Sequence, residues 1–147
     1  MIRIAQRKDV QAIYDLIVEL AVYEKAPNEV SNTPAQLEID LFDDNICSAI
    51  VAEEEGKVLG FALYYTSYST WKGRSMYLED FYVKESERKR GIGKLLFNEV
   101  VRLAKESGVQ RMDWQVLEWN QLALDFYKSQ NALLDPEWVN GRLFFQQ

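Results

Sequence analysis

A chain of 147 residues with 48% hydrophobic and 13% aromatic content can fold as one domain, residues 1–147, around its own core. No apolar run approaches the ~20 residues of a membrane span, and Met1-Ile2-Arg3-Ile4-Ala5 enters structure at once rather than as a signal peptide. The net charge of −6 argues against general nucleic-acid binding and is compatible with cationic substrates.

Residues 2–5 read as a short first strand. Asp9 can cap a helix whose Val10, Ile13, Tyr14, Ile17 and Leu20 share one face. A loop, Tyr23-Glu24-Lys25-Ala26-Pro27-Asn28, leads to Thr33-Pro34-Ala35-Gln36, a capping box with proline at the first helical position. That second helix ends near Asp43-Asp44-Asn45. Two β-runs, 46–53 and 57–68, form an antiparallel hairpin through Glu54-Glu55-Gly56, and the acidic run Glu53-Glu54-Glu55 reads as a solvated turn. Cys47, the single cysteine, is expected as a small buried strand residue. One cysteine excludes an internal disulfide and suits a reducing, cytoplasmic compartment.

Trp71-Lys72-Gly73-Arg74 turns the chain into a further strand, 75–83. The helix from Gly91 places Ile92, Leu95, Leu96, Val100, Leu103 and Ala104 on one stripe, and Gly108 stops it. Residues 112–117 read as a strand and 120–129 as a short helix, closed by Asn131 in a left-handed conformation. Leu143-Phe144-Phe145 reads as a final strand. The order predicts an α/β domain with a mixed sheet, parallel where the Gly91 helix crosses between strands.

One junction carries the chemistry. Arg88-Lys89-Arg90-Gly91-Ile92-Gly93 lies between a hydrophobic strand and an amphipathic helix. The glycines admit a ligand close to the backbone, and the helix N-terminus offers N–H groups to negative charge, so the segment reads as a pyrophosphate cradle. It is not a Walker A loop, since Gly93-Lys94 is followed by Leu95. Nor is it the dinucleotide motif, whose third glycine is replaced by Leu96.

In this setting the chain resembles the GNAT-superfamily N-acetyltransferases over essentially its full length. Four segments bring it nearest to the diamine (spermidine/spermine) and thialysine acetyltransferases. They are Leu20-Ala21-Val22-Tyr23-Glu24, Tyr68-Ser69-Thr70-Trp71-Lys72-Gly73-Arg74, Tyr77-Leu78-Glu79-Asp80-Phe81-Tyr82-Val83, and Glu118-Trp119-Asn120 with Phe126-Tyr127-Lys128. The second leans toward the thialysine branch. The resemblance implies a GNAT fold, a mixed twisted sheet of six or seven strands with about four helices. It also implies acetyl-CoA as co-substrate, with Arg88, Lys89, Arg90, Gly91, Ile92, Gly93 and Lys94 at its pyrophosphate. Asn120, Gln121, Leu122 and Ala123 would hold the pantetheine arm, which would also lie along the backbone of Phe81, Tyr82 and Val83 like a missing strand.

Acetyl transfer to an amine requires that the amine lose a proton, the thioester carbonyl be polarised and the departing thiolate be protonated. A lysine-type amine, with a pKa of about 10.4, arrives charged near neutrality. Histidine is absent, which removes the commonest base and zinc ligand. No metal is expected, and proton transfer falls to Asp, Glu, Tyr or Lys. The resemblance implies Glu79 as base and Tyr127 as acid. Strand alternation sends Glu79 and Asp80 to opposite faces unless a bulge intervenes, and Asp80 reads as an edge or helix-capping carboxylate. Tyr23, Glu24, Glu79 and Glu137 are the amine contacts the resemblance implies. Lys25 departs from the acid-rich loop of the polyamine enzymes and disfavours spermine.

The expected function is direct acetyl transfer from acetyl-CoA to a small primary amine of thialysine, lysine or diamine type. Acetylation of a protein lysine or N-terminus, and an acyl-CoA-binding module without turnover, stay open at this point. The family pattern further implies a homodimer.

Overall fold

A computed structural model describes residues 1–145, with one compact unit over Met1–Gln115 and a second beginning at Val116. The first unit is built on a five-stranded sheet in the order β1-β2-β3-β4-β5. Its strands are β1 Ile2–Ile4, β2 Ser48–Glu54, β3 Lys57–Ser69, β4 Gly73–Val83 and β5 Arg111–Asp113. Pairing is antiparallel from β1 to β4 and parallel between β4 and β5, because helix α3, Ile92–Glu106, carries the chain back across the sheet. The mixed α/β architecture matches the expectation, with five strands in place of six or seven among the described residues.

The two shortfalls lie at the C-terminal side. The strand expected over 112–117 contracts to Arg111–Asp113. Leu143, Phe144 and Phe145 form no strand, and each is at least 78% exposed. Strand propensity measures fit to a pleated, half-buried surface, and a three-residue apolar run does not create that surface.

Helices α1, Val10–Tyr23, and α2, Pro34–Glu38, cover one face of the sheet. Val10, Ile13 and Leu16 of α1 join Leu37 of α2, Leu41, and Val51, Phe61, Leu63 and Tyr82 of the sheet in one buried cluster. Residues of the other parity face α3. Phe81 meets Phe97 with ring centroids 5.9 Å apart, and Phe97 meets Trp114 at 5.5 Å. Leu95, expected on the buried stripe of α3, is 48% exposed, and Phe97 is buried in its stead. Each fully buried aliphatic or aromatic side chain adds about 1.5–3 kcal/mol.

Turn chemistry follows the residues closely. Thr33 caps α2 by accepting the Gln36 N–H at 3.2 Å, with Pro34 at the first position. A π-helical turn, Ile39–Asp43, continues α2 to the expected end at Asn45, whose φ is +52°. Glu55 and Gly56, both at positive φ, close the β2–β3 hairpin, and Gly108 does the same after α3.

Asp9 departs from its expected role, since its side chain makes no capping bond to α1. Its carboxylate instead accepts from Arg3 at 2.7 and 2.9 Å and from the Gln6 N–H at 2.7 Å. Arg3 also pairs with Glu53, so that residue is an anchor of β1 rather than part of a solvated turn. The Arg3 guanidinium holds the Asp9 carboxyl below its ordinary range. A depressed native pKa gives stability that is present above the unfolded value of about 3.9 and is lost as pH falls through the native value. Asp9→Asn is expected to cost about 1–3 kcal/mol at pH 7, read by urea unfolding. The gap to wild type should shrink below about pH 4; a gap independent of pH would contradict the ion-pair origin.

Candidate active site

The registry of β4 on β3 slips where the chemistry is expected. Asp80 lies opposite Leu63 and Leu78 opposite Tyr64, which leaves Glu79 as the extra residue of a β-bulge. A regular strand would send Glu79 and Asp80 to opposite faces. With the bulge, both line one cavity of about 430 Å³ with Ile17, Asn32, Leu37, Asp40, Ile46, Cys47, Leu63 and Tyr65. Asp80 is therefore no edge or capping carboxylate. Burial, then the charges of Glu79 and Glu24, push its pKa up to about 7.

Among the described residues, the cavity wall carries three carboxylates, a tyrosine and no lysine or arginine. Tyr65 pairs with Tyr77 across the β3–β4 ladder, ring centroids 5.4 Å apart. Burial and the Glu79 charge raise both phenols, Tyr77 to about 12. Such a wall suits a cation: carboxylates for charge and ring faces for cation–π contact. Glu24 closes α1 as its C-cap, and burial raises its carboxyl. Cys47 is half-buried just before β2 rather than inside a strand. Burial and Asp40 push its thiol up, which keeps it protonated and a poor nucleophile.

Within the expected cradle, residues 88–94, Gly91 caps α3 at φ +80°. The first helical bond runs from the Leu95 N–H to the Gly91 carbonyl at 3.1 Å, so the N–H groups of Ile92, Gly93 and Lys94 precede the helical ladder. Lys89 also has positive φ, +67°. The arginines have protein partners as well. Arg88 donates to the Val83 carbonyl at 3.2 Å, and its guanidinium stacks over Tyr23 at 4.8 Å and Tyr82 at 5.3 Å. Arg90 pairs with Glu54 at 2.7 Å and Glu87 at 2.5 Å, tying the cradle loop to the β2–β3 hairpin. Thus Glu54, like Glu53, is engaged, and Tyr23 lies beside the cradle arginine. Phe81, Tyr82 and Val83 extend β4 beyond Tyr77, where its pairing with β5 ends.

The second unit contains α4, Gln121–Ser129. Asn120 caps it, its side chain accepting the Ala123 N–H at 3.2 Å. Gln121 and Leu122 are exposed and Ala123 half-buried in its first turn. Tyr127 packs edge-on to Phe126, ring centroids 5.5 Å apart. Glu137 is exposed in a turn organised by Asp135, which accepts the Glu137 N–H and the Trp138 indole N–H, each at 3.0 Å.

Residues 10–131 match the acetyltransferase (GNAT) family. The chain belongs to that family. A thialysine N-epsilon-acetyltransferase from Bos taurus is 40% identical over 141 residues, covering 90% of this chain and 83% of that protein. One from Mus musculus is 37% identical over 153 residues, covering 96% and 90%. A possible acetyltransferase from Clostridium difficile 630 shares the fold, with a TM-score of 0.84 over 99% of this chain and 98% of the other at 22% identity. The chain is thus a GNAT N-acetyltransferase that uses acetyl-CoA.

Of the ten residues that line the cavity of this GNAT enzyme, sequence reasoning named only Glu79 as a site residue; the titratable ones it missed are Asp40, Cys47, Tyr65 and Asp80. Asp80 was hidden by the bulge, which strand alternation cannot reveal. Asp40 lies in the π-helical turn after α2, where helical periodicity assigns the wrong face. Tyr65 carried a usable signal, since aromatic residues cluster at 64–65 beside the strand that bears Glu79.

Proposed function

We propose that this GNAT enzyme transfers the acetyl group of acetyl-CoA directly to a small, free primary amine of thialysine, lysine or diamine type. The observation that carries the proposal is the cavity that holds Glu79, Asp80 and Asp40 with no cationic side chain among the described residues of its wall. It would concentrate an ammonium ion and offer carboxylates to take its proton. The names of the 37–40% identical relatives support a thialysine-like amine. Glu79, with Asp80 beside it, serves the deprotonation step. The freed nitrogen lone pair attacks the thioester carbonyl, a C–N bond forms and the C–S bond breaks. Tyr127 gives its phenol proton to the departing thiolate and regains one from the nitrogen through solvent. No acetyl-enzyme forms, in keeping with a protonated Cys47.

On the donor side, the first-turn N–H groups of α3 and Arg88 would hold the pyrophosphate, and the Phe81–Val83 backbone and the Asn120–Ala123 turn the pantetheine arm. Glu24 and Tyr23 would contribute to amine capture. A cytoplasmic homodimer completes the proposal. Arg88→Ala is expected to weaken acetyl-CoA binding about 10–100-fold, the range of a lost charge-assisted hydrogen bond, while Arg88→Lys recovers only part because it lacks the planar fork. Calorimetric titration with acetyl-CoA reads the effect, and unchanged affinity would remove Arg88 from the cradle.

The experiment that tests the function follows CoA release over thialysine, lysine, diamines, spermidine and a lysine peptide. Saturable release with a free small amine is expected. Release with the peptide alone would replace the assignment by protein acetylation.

A further inference from the structure

We infer that Tyr23 is a positioning residue for the acetyl donor: with Tyr82 it holds the Arg88 guanidinium in place for the diphosphate of acetyl-CoA. The inference rests on the donor-side reading proposed above, in which Arg88 meets the pyrophosphate, and gives Tyr23 a task besides amine capture. The three residues come from separate elements. Tyr23 is the last residue of α1, Tyr82 lies near the end of β4, and Arg88 stands in the loop before α3. The Arg88 guanidinium carbon is 4.8 Å from the Tyr23 ring centroid and 5.3 Å from that of Tyr82. Both distances are inside the cation–π reach of about 6 Å.

The rings are themselves fixed. Tyr82 is buried in the core cluster shared by the sheet and α1, and Tyr23 packs against the same cluster. Tyr23 is not among the residues that line the acidic cavity. The Arg88 Nε–H donates to the Val83 carbonyl at 3.2 Å, which uses one of five guanidinium N–H groups. Among the described residues, Nη1 and Nη2 of Arg88 make no hydrogen bond or ion pair. Their four N–H groups form the planar fork that fits two phosphate oxygens at once. Arg90 is held differently, with Nη1 on Glu87 and Nη2 on Glu54. Carboxylates fix that side chain but occupy its N–H groups and neutralise its charge. Aromatic rings fix Arg88 and leave both for the ligand. An arginine already stacked and tethered loses less rotamer freedom when a phosphate captures it, and binding is tighter for that reason. The Val83 tether also joins the guanidinium to the β4 segment proposed for the pantetheine arm.

The test is calorimetric titration with acetyl-CoA, in the absence of amine, for wild type, Tyr23→Leu, Tyr23→Phe, Arg88→Ala and the double variant Arg88→Ala/Tyr23→Leu. Tyr23→Leu should weaken binding about 3–30-fold, the range of one cation–π contact, while Tyr23→Phe keeps the ring face and should stay within about twofold of wild type. In the Arg88→Ala background the Tyr23→Leu loss should shrink to less than about twofold, because residues that act through one contact are not additive. A purely structural role for Tyr23 predicts the same loss in both backgrounds, and that result, or full affinity in Tyr23→Leu, overturns the inference. A second readout is the ratio of kcat/KM for acetyl-CoA to that for S-acetylpantetheine, which carries the thioester and arm but no diphosphate, at one amine concentration. Tyr23→Leu should lower this ratio by a similar factor, and an unchanged ratio overturns the inference. Should Tyr23→Leu fail to fold, the Arg88 Nε–H resonance of wild type, assigned by its loss in Arg88→Ala, decides. A ring-current displacement is expected there, and the position of a free arginine overturns the inference. Undiminished acetyl-CoA affinity in Arg88→Ala would sink the donor-side reading and this inference with it; a loss in Arg88→Ala without one in Tyr23→Leu sinks the inference alone.

Discussion

Tyr127→Phe is expected to lower kcat by about 10²–10⁴-fold, with acetyl-CoA affinity unchanged within about twofold, since the ring's packing is kept and no charge is lost. The substitution removes one oxygen. The ring and its edge contact to Phe126 remain, and so does the Asn120 cap that starts α4. Loss of turnover with acetyl-CoA affinity retained therefore points to the phenol hydroxyl rather than to the packing of the ring. A thiolate that leaves unprotonated is a poor leaving group relative to a thiol, and the penalty falls on the chemical step. Steady-state kinetics beside a calorimetric acetyl-CoA titration check it. Full turnover in Tyr127→Phe would contradict the proposed role of the tyrosine as acid.

Gly60→Ala is expected to destabilise the fold by about 1–3 kcal/mol through overpacking, a fall in Tm of roughly 3–10 °C for a chain of this size. Gly60 sits opposite Val83 in the β3–β4 ladder. A Cβ there would lie 2.8 Å from the Tyr82 carbonyl oxygen and 3.2 Å from both the Val83 Cα and a Leu96 methyl. Two of those three atoms are backbone and cannot rotate away, and Leu96 is fully buried. The glycine lets α3 settle on the sheet just where β4 presents Tyr82 and Val83. Thermal unfolding tests the stability claim, and an unchanged Tm would contradict the close approach. Weakened acetyl-CoA binding in the same variant would tie the packing to the donor site.

Much of this architecture was legible in the residues. The α1 stripe, the Thr33-Pro34 start of α2, the Glu55-Gly56 hairpin and the Gly91–Gly108 limits of α3 all follow from local rules, since caps, prolines and left-handed glycines act within a few residues. The elements misjudged depended on distant partners. Leu143-Phe144-Phe145 has strand composition but forms no ladder, and Leu95 yields the core to Phe97 because Phe81 and Trp114 supply the aromatic neighbours. Asp9 and Glu53 looked like a cap and a solvated turn until β1 brought Arg3 between them.

The same divide runs through the site. The glycine turn that starts α3 is local and was readable as a motif. The acidic cavity is assembled from α1, the turn after α2, β3 and a bulged β4, and only the Glu79 side of it could be named in advance. One residue of registry slip separates an Asp80 that faces away from an Asp80 that shares the pocket. No periodicity encodes that slip. The Arg90 pairs to Glu54 and Glu87 are another long-range product, exposed enough to add little stability but placed to orient the cradle loop.

The most direct measurement is the initial rate of CoA release over a matrix of acetyl-CoA and free thialysine or lysine concentrations. Direct transfer within a ternary complex predicts saturation in both substrates and double-reciprocal lines that intersect. Parallel lines with an acetylated enzyme detectable by mass would contradict direct transfer, and no turnover with free amines beside turnover with a lysine peptide would contradict the small-amine function itself.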